Sequence, residues 1–195
     1  MTEYVVPRRP ERAAQPNGWW AIAIFVAGEA TLFGAFLATY YYLRFKAVHW
    51  PTPGVPEPKV ALPLILTAIL VATSVPMQIA SWAAQAGRRG PLRAALLLAL
   101  VVQSGYFAVQ MHLFLSDLDK FSPAKSAYGS IYFTLLGAHH AHVAVGLLLN
   151  LWFLLRFSTG LTRYRVTGLR AATFYWHFVN AMAVLVTLTV LSPSL

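Results

Sequence analysis

The side chains able to do chemistry in this chain are few, and most are imidazoles. Gly137-Ala138-His139-His140-Ala141-His142 sits in the middle of a long apolar stretch. His139 and His142 are i, i+3 and share a helix face, while His140 points elsewhere. His177 lies in the last apolar stretch, and Glu29 is the one acidic residue inside the first. Imidazole and carboxylate together suit Zn, Fe or Mn, so Glu29, His139, His142 and His177 form a candidate metal set. Two of the imidazoles could instead hold a haem from both sides. The plainer reading is hydrogen bonding between helices, the common task of polar side chains in membranes. A di-iron bundle needs several carboxylates beside its histidines, and here Glu29 stands alone. Gln78, Gln103, Gln110 and Asn150 suit the same packing role. The chain has no cysteine, which excludes disulfides, thiolate-bound clusters, c-type haem attachment and a thiolate-bridged copper centre.

These groups need positioning elements, and composition says what those are. Of 195 residues, 58% are hydrophobic and 11% charged, where a soluble domain carries roughly 25% charged residues. The apolar residues come in long blocks, so the solvent is lipid. We expect an all-α integral membrane bundle of five transmembrane helices, at about 18–43, 60–86, 92–115, 126–155 and 171–191, forming one domain over 18–195. Residues 1–17 read as a basic cytoplasmic tail. The connections are short, leaving no room for a soluble domain. Trp19-Trp20 and Tyr40-Tyr41-Tyr42 bracket the first block as two aromatic belts, roughly 30 Å apart at the helical rise. Pro76, internal to the second block, predicts a kink there, with Thr73 and Ser74 able to satisfy the freed carbonyl.

The net charge of +9 does not point to nucleic acid, because the basic residues sit between apolar blocks and form no stripe with interleaved aromatics. It points to topology. Arg8, Arg9, Arg12, Arg88, Arg89, Arg93, Arg156, Arg163, Arg165 and Arg170 fall on one side, against Arg44, Lys46, Lys59, Lys120 and Lys125 on the other. That asymmetry makes the N-terminus cytoplasmic and, with five helices, the C-terminus external. The setting is then the cell (inner) membrane, spanned several times.

A charge inside the hydrocarbon is costly and is a functional hypothesis by default. Glu29 lies ten residues past Trp19, hence ~15 Å deep. Phe25, Leu32, Phe33 and Phe36 share its face. Ala30, Gly34 and Ala38 form one small-residue ridge, and Ala27, Thr31 and Ala35 another. Small ridges are where helices approach closely. Glu29 is therefore expected to point away from the tightest packing, toward a cleft or a second layer of helices.

Five segments, in order, resemble cytochrome c oxidase subunit III. Gly18-Trp19-Trp20 through Glu29-Ala-Thr-Leu-Phe33-Gly34 and Tyr40-Tyr-Tyr-Leu-Arg44 is similar to that family's helix with a buried glutamate. Thr73-Ser74 and Phe107-Ala-Val-Gln110 match two shorter patterns. Tyr128-Gly129-Ser130 with Phe133, Gly137, His139, His142-Val143 and Gly146, and Tyr175-Trp176-His177-Phe178-Val179, are the specific ones. The resemblance implies a short five-helix form without the two N-terminal helices of longer relatives. It implies an accessory, non-catalytic subunit with no redox centre, metal or cofactor of its own. Such a subunit packs against oxidase subunit I, which carries the haem and copper, in a complex that also holds subunit II. It binds phospholipid in a cleft between helix groups and supports turnover and proton uptake in aerobic respiration.

By the same resemblance, Glu29, His139, His142, Trp176 and His177 are the family-type buried polar residues. Arg88, Arg89, Arg163 and Arg170 are candidate contacts for lipid headgroups. The chain departs from the family pattern at Leu113 and Arg170, where Glu is usual, and at Asn180, where Asp is usual. Those departures keep open a quinol-oxidase branch or a subunit III-like protein of a nitric oxide reductase complex. A stand-alone His/Glu metalloenzyme predicts bound metal or haem in the isolated chain. A transporter predicts paired helix breaks in two repeats, and the sequence shows neither.

Overall fold

The computed structural model describes residues 17–56, 59–157 and 160–193. Among them every regular element is helical: α1 (Asn17–Lys46), α2 (Ala61–Ala72), α3 (Ser74–Gln85), α4 (Arg89–Lys120), α5 (Ala127–Arg156) and α6 (Arg163–Leu191). Helices α2 and α3 run on as one span, so five spans are long and apolar enough to cross a membrane. Apart from Asn17, which begins α1, the expected basic tail lies outside the described residues.

The helices outrun the apolar blocks. Helix α1 has 30 residues and α4 has 32, or ~45–48 Å at the helical rise. That matches a bilayer with its headgroups, about 40–45 Å, better than its hydrocarbon core alone. Ser116–Lys120, expected as loop, is the last turn of α4, and Arg163–Arg170 is the start of α6. Polar residues continue a helix cheaply in the headgroup layer, because water and lipid phosphate satisfy their side chains. Thr162 begins α6 by accepting from the Arg165 backbone N–H at 3.3 Å, and Ser126 does the same for α5 through Gly129 at 3.0 Å. Pro91 falls inside α4, not before it, and is tolerated because the first turn's N–H groups have no intrahelical acceptor. Gly87, with φ +71°, makes the tight turn between α3 and α4, in a conformation that costs a side-chain-bearing residue.

The kink expected at Pro76 is present, one turn earlier. The helix breaks at Thr73, where the backbone N–H bonds to Leu70 in a tighter i→i−3 pattern. The Pro76 ring excludes the carbonyl four residues back, so the strain appears at Ala72–Thr73. The Thr73 hydroxyl donates to the Leu70 carbonyl at 2.5 Å. The Ser74 hydroxyl faces α6 and does not serve the helix's own backbone.

Helix α6 is the hub. It packs against α1, α2, α3 and α5, while α4 closes the far side against α2, α3 and α5. Helix α1 touches only α5 and α6. The apolar window of the α6 span is 50% buried inside the protein, that of α1 only 11%. The chain alternates direction, so Arg88, Arg89, Arg163 and Arg170 share one end and Lys46, Lys59, Lys120 and Lys125 the other. Exposed Trp20, Trp82, Trp152 and Tyr164 ring the arginine end, as an interfacial belt would.

The face of α1 differs from expectation. Its buried side is bulky: Val26, Phe33 and Tyr40. The small residues Ala27, Ala30, Thr31, Gly34, Ala35 and Ala38 are exposed. Within this chain the small ridges make no close helix contact, and Glu29 lies on the inward face.

Candidate functional site: a polar layer at mid-membrane

Glu29, His142 and His177 lie twelve to fourteen residues from the arginine ends of α1, α5 and α6. At the helical rise each is ~18–21 Å in, so they form one layer. Glu29 Oε2 meets His142 Nε2 at 3.0 Å, and His142 Nδ1 lies 2.7 Å from the Ala138 carbonyl. A carbonyl only accepts, so Nδ1 carries a hydrogen. The Nε2–Oε2 contact then needs one further proton, on either partner. The pair is therefore net neutral, as acid with imidazole or carboxylate with imidazolium. That resolves how a lone carboxyl resides among helices without an uncompensated charge. Phe33 sets the ring edge-on at 5.1 Å, and Tyr175 donates to the His142 carbonyl at 2.9 Å.

A second cluster ties α6 to the broken span. His177 Nε2 donates to Gln78 Oε1 at 3.1 Å, so Nδ1 is the acceptor for the Ser74 hydroxyl at 3.2 Å. Asn180 Nδ2 donates to the same hydroxyl oxygen at 2.6 Å. Trp176, fully buried, donates its indole N–H to Thr73 at 2.8 Å. The helix break and the signature segment thus fit each other: Thr73 and Ser74 turn their hydroxyls toward α6 where the helix is interrupted. Gly146 lets α5 approach, since a methyl group there would overlap the Trp176 ring. Asn150 and Gln103 join α5 to α4 at 3.0 Å.

The structure does not assemble the candidate metal set. His142 is engaged by α1 and His177 by α3, and among the described residues no three His, Asp or Glu side chains gather in metal-binding reach. His139 is buried beside His140, ring centroids 6.0 Å apart, with no hydrogen-bond partner for either ring nitrogen. His140 packs edge-on against Phe114 at 5.3 Å. Arg88, Arg89 and Arg163 are exposed at the arginine end, and the Arg170 guanidinium lies 6.0 Å from the Trp19 ring centre. His142 and His177 serve the plainer reading, hydrogen bonding between helices, the first to α1 and the second to α3, while His139 joins neither. Asn180 drew notice only as a departure, although its amide closes the α3–α6 cluster. A polar residue one turn from His177 was the available signal.

Comparison with known proteins gives a consistent answer. Residues 13–192 match the profile of a family described as cytochrome c oxidase subunit III. The chain is 27% identical over 194 residues to cytochrome c oxidase subunit 3 of Bacillus subtilis, covering 95% of this chain and 92% of that one. It is 29% identical over 192 residues to the protein of that name in Alkalihalophilus pseudofirmus, with 93% and 90% covered. Similarity to the mouse protein of that name is 27% over 170 residues, 84% of this chain but 64% of the longer one.

Proposed function

Since this chain belongs to the cytochrome c oxidase subunit III family, we propose that it is the accessory, non-catalytic third subunit of a haem–copper terminal oxidase. In this reading it packs against subunit I, in a complex with subunit II, and helps that subunit sustain turnover and proton uptake. Haem and copper belong to subunit I. The N-terminus faces the cytoplasm, and Arg88, Arg89, Arg163 and Arg170 hold phospholipid headgroups at that surface, through charge-assisted bonds to phosphate.

One observation carries the proposal. Four of the five polar side chains of the signature segments are used between helices: Glu29 on His142, Trp176 on Thr73, and His177 on Ser74 and Gln78. A chain built this way is a rigid scaffold for a partner's chemistry. Its most exposed span, α1, leaves surface for such a partner. Purifying the tagged chain in mild detergent should recover a haem-bearing partner in equal amount, with oxygen reduction in the complex. Recovery as a lone chain would overturn the proposal. The haem type and electron donor of the recovered complex separate a cytochrome c oxidase from a quinol-oxidase or nitric oxide reductase complex.

A further inference from the structure

A cavity of about 370 Å³ opens among α2, α4, α5 and α6 at the lysine end, within the range of about 300–1,000 Å³ for small-molecule sites. It lies at the opposite end from Arg88, Arg89, Arg163 and Arg170, and none of them lines it. Its shape follows from its lining. On α5 it touches Tyr128, Tyr132, Leu136 and His140, one residue per turn over twelve positions. On α4 it runs from Gln110 to Lys120, with Phe121 just past the helix end. Both stripes are ~15–18 Å long at the helical rise, so the cavity is a slot that descends from the membrane surface along the helix axes.

The slot is apolar along its walls and charged at its mouth. Lys59, Asp117 and Lys120 stand at the mouth. Asp117 is already engaged: one oxygen accepts from Lys120 at 2.9 Å, the other from the Tyr132 hydroxyl at 2.7 Å. Among the described lining residues, two lysines therefore face one committed carboxylate. The deep end is the more polar part: Gln110 lies there, and both ring nitrogens of His140 have no hydrogen-bond partner. Gln110 donates its amide to Tyr106, and His140 presents its ring between Phe107 and Phe114. A long, mostly apolar slot, opening at the headgroup level beside Lys59 and Lys120, has the form of an acyl chain with an anionic head.

We propose that this slot binds one acyl chain of an anionic amphiphile, with the carboxylate or phosphate head at Lys59 and the chain running past Leu136 toward His140. The site rests only on the chain spanning a membrane. Failure of the oxidase reading leaves it standing, and its own failure leaves that reading untouched.

The test uses the purified protein, with any partner chains, in phosphatidylcholine nanodiscs. Three photoreactive probes share one diazirine-bearing chain: a fatty acid, a phosphatidylglycerol and an uncharged fatty alcohol. Crosslinked peptides are mapped by mass spectrometry, with and without excess non-photoreactive palmitate or phosphatidylglycerol. Saturable labelling of 110–121 and 128–140 is expected from an anionic probe. Labelling by the fatty acid alone assigns a free carboxylate, and labelling by phosphatidylglycerol assigns a phospholipid chain. Leu136→Trp should fill the slot and cut labelling at least tenfold. Lys59→Glu, at an exposed position whose change does not threaten folding, should cut labelling by the anionic probes several-fold and spare the alcohol. It thus decides the matter even if Leu136→Trp does not fold. Labelling that cannot be competed, that spreads over the lipid-facing sides of α1 and α4, or that ignores Lys59→Glu would overturn the proposal.

Discussion

Glu29 and His142 illustrate how a carboxyl is kept inside a bilayer by a partner 113 residues away in sequence. The pair needs one proton to be satisfied, and a neutral amide can mimic that state. Glu29→Gln can still donate to His142 Nε2, so it should cost under about 1 kcal/mol. Glu29→Ala leaves a half-buried imidazole nitrogen without its partner and should cost ~1–3 kcal/mol. Thermal unfolding in detergent reads both, and equal losses would refute the pairing. A double-mutant cycle between Glu29→Ala and His142→Ala should show a coupling between the average of ~0.6 and the maximum of ~1.7 kcal/mol for interhelical bonds in membranes. For the α3–α6 cluster, Ser74→Ala removes the one hydroxyl shared by His177 and Asn180. It should therefore destabilise by ~1–3 kcal/mol, more than Thr31→Ala, whose hydroxyl bonds only to its own helix on an exposed face.

At the scale of elements, the central joint is α5 against α6 at Gly146 and Trp176. The indole ring occupies the space a side chain at 146 would need. Gly146→Ala should destabilise by ~1–3 kcal/mol through overpacking. Trp176→Leu makes room but removes the N–H bonded to Thr73 at 2.8 Å. The two changes touch the same space, so the double variant should lose less than the sum of the singles, measured by the same melts. Additive losses would mean that the close approach is not what the glycine provides. The same joint uses the break that Pro76 makes in the span α2–α3. At the break Thr73 donates to the Leu70 carbonyl while accepting from Trp176, and the Ser74 hydroxyl is left to His177 and Asn180.

For the whole molecule, the bundle has one densely packed side and one bare helix. Helix α6 is surrounded and α1 is an edge. The small ridges of α1 therefore face whatever borders this chain in the membrane, while its bulky face is used internally. The charge asymmetry between the two ends predicts orientation. In the proposed orientation, alkaline phosphatase fused after Leu195 should be active, and fused into the connection between α5 and α6 it should be inactive. The reverse pattern would invert the bundle and place the arginine rim outside.

Much of this was determined by the sequence alone. Block length, low charge and the distribution of arginine specify five spans and their alternation, because transfer into lipid depends on the composition of each stretch by itself. The signature segments likewise carry family membership, since Tyr175-Trp176-His177 is contiguous. The partners of those residues were not legible. Helical periodicity tells which residues share a face, but not which face meets protein and which meets lipid, since both are apolar. That is why the small ridges of α1 pointed to the wrong side, and why Glu29, His139, His142 and His177 looked like one set. Only the packing of α1 and α3 around α5 and α6 decided that His142 belongs to Glu29 and His177 to Ser74 and Gln78. The physical reason is that in a membrane the pairing of polar groups is a property of helix arrangement, which no single helix encodes.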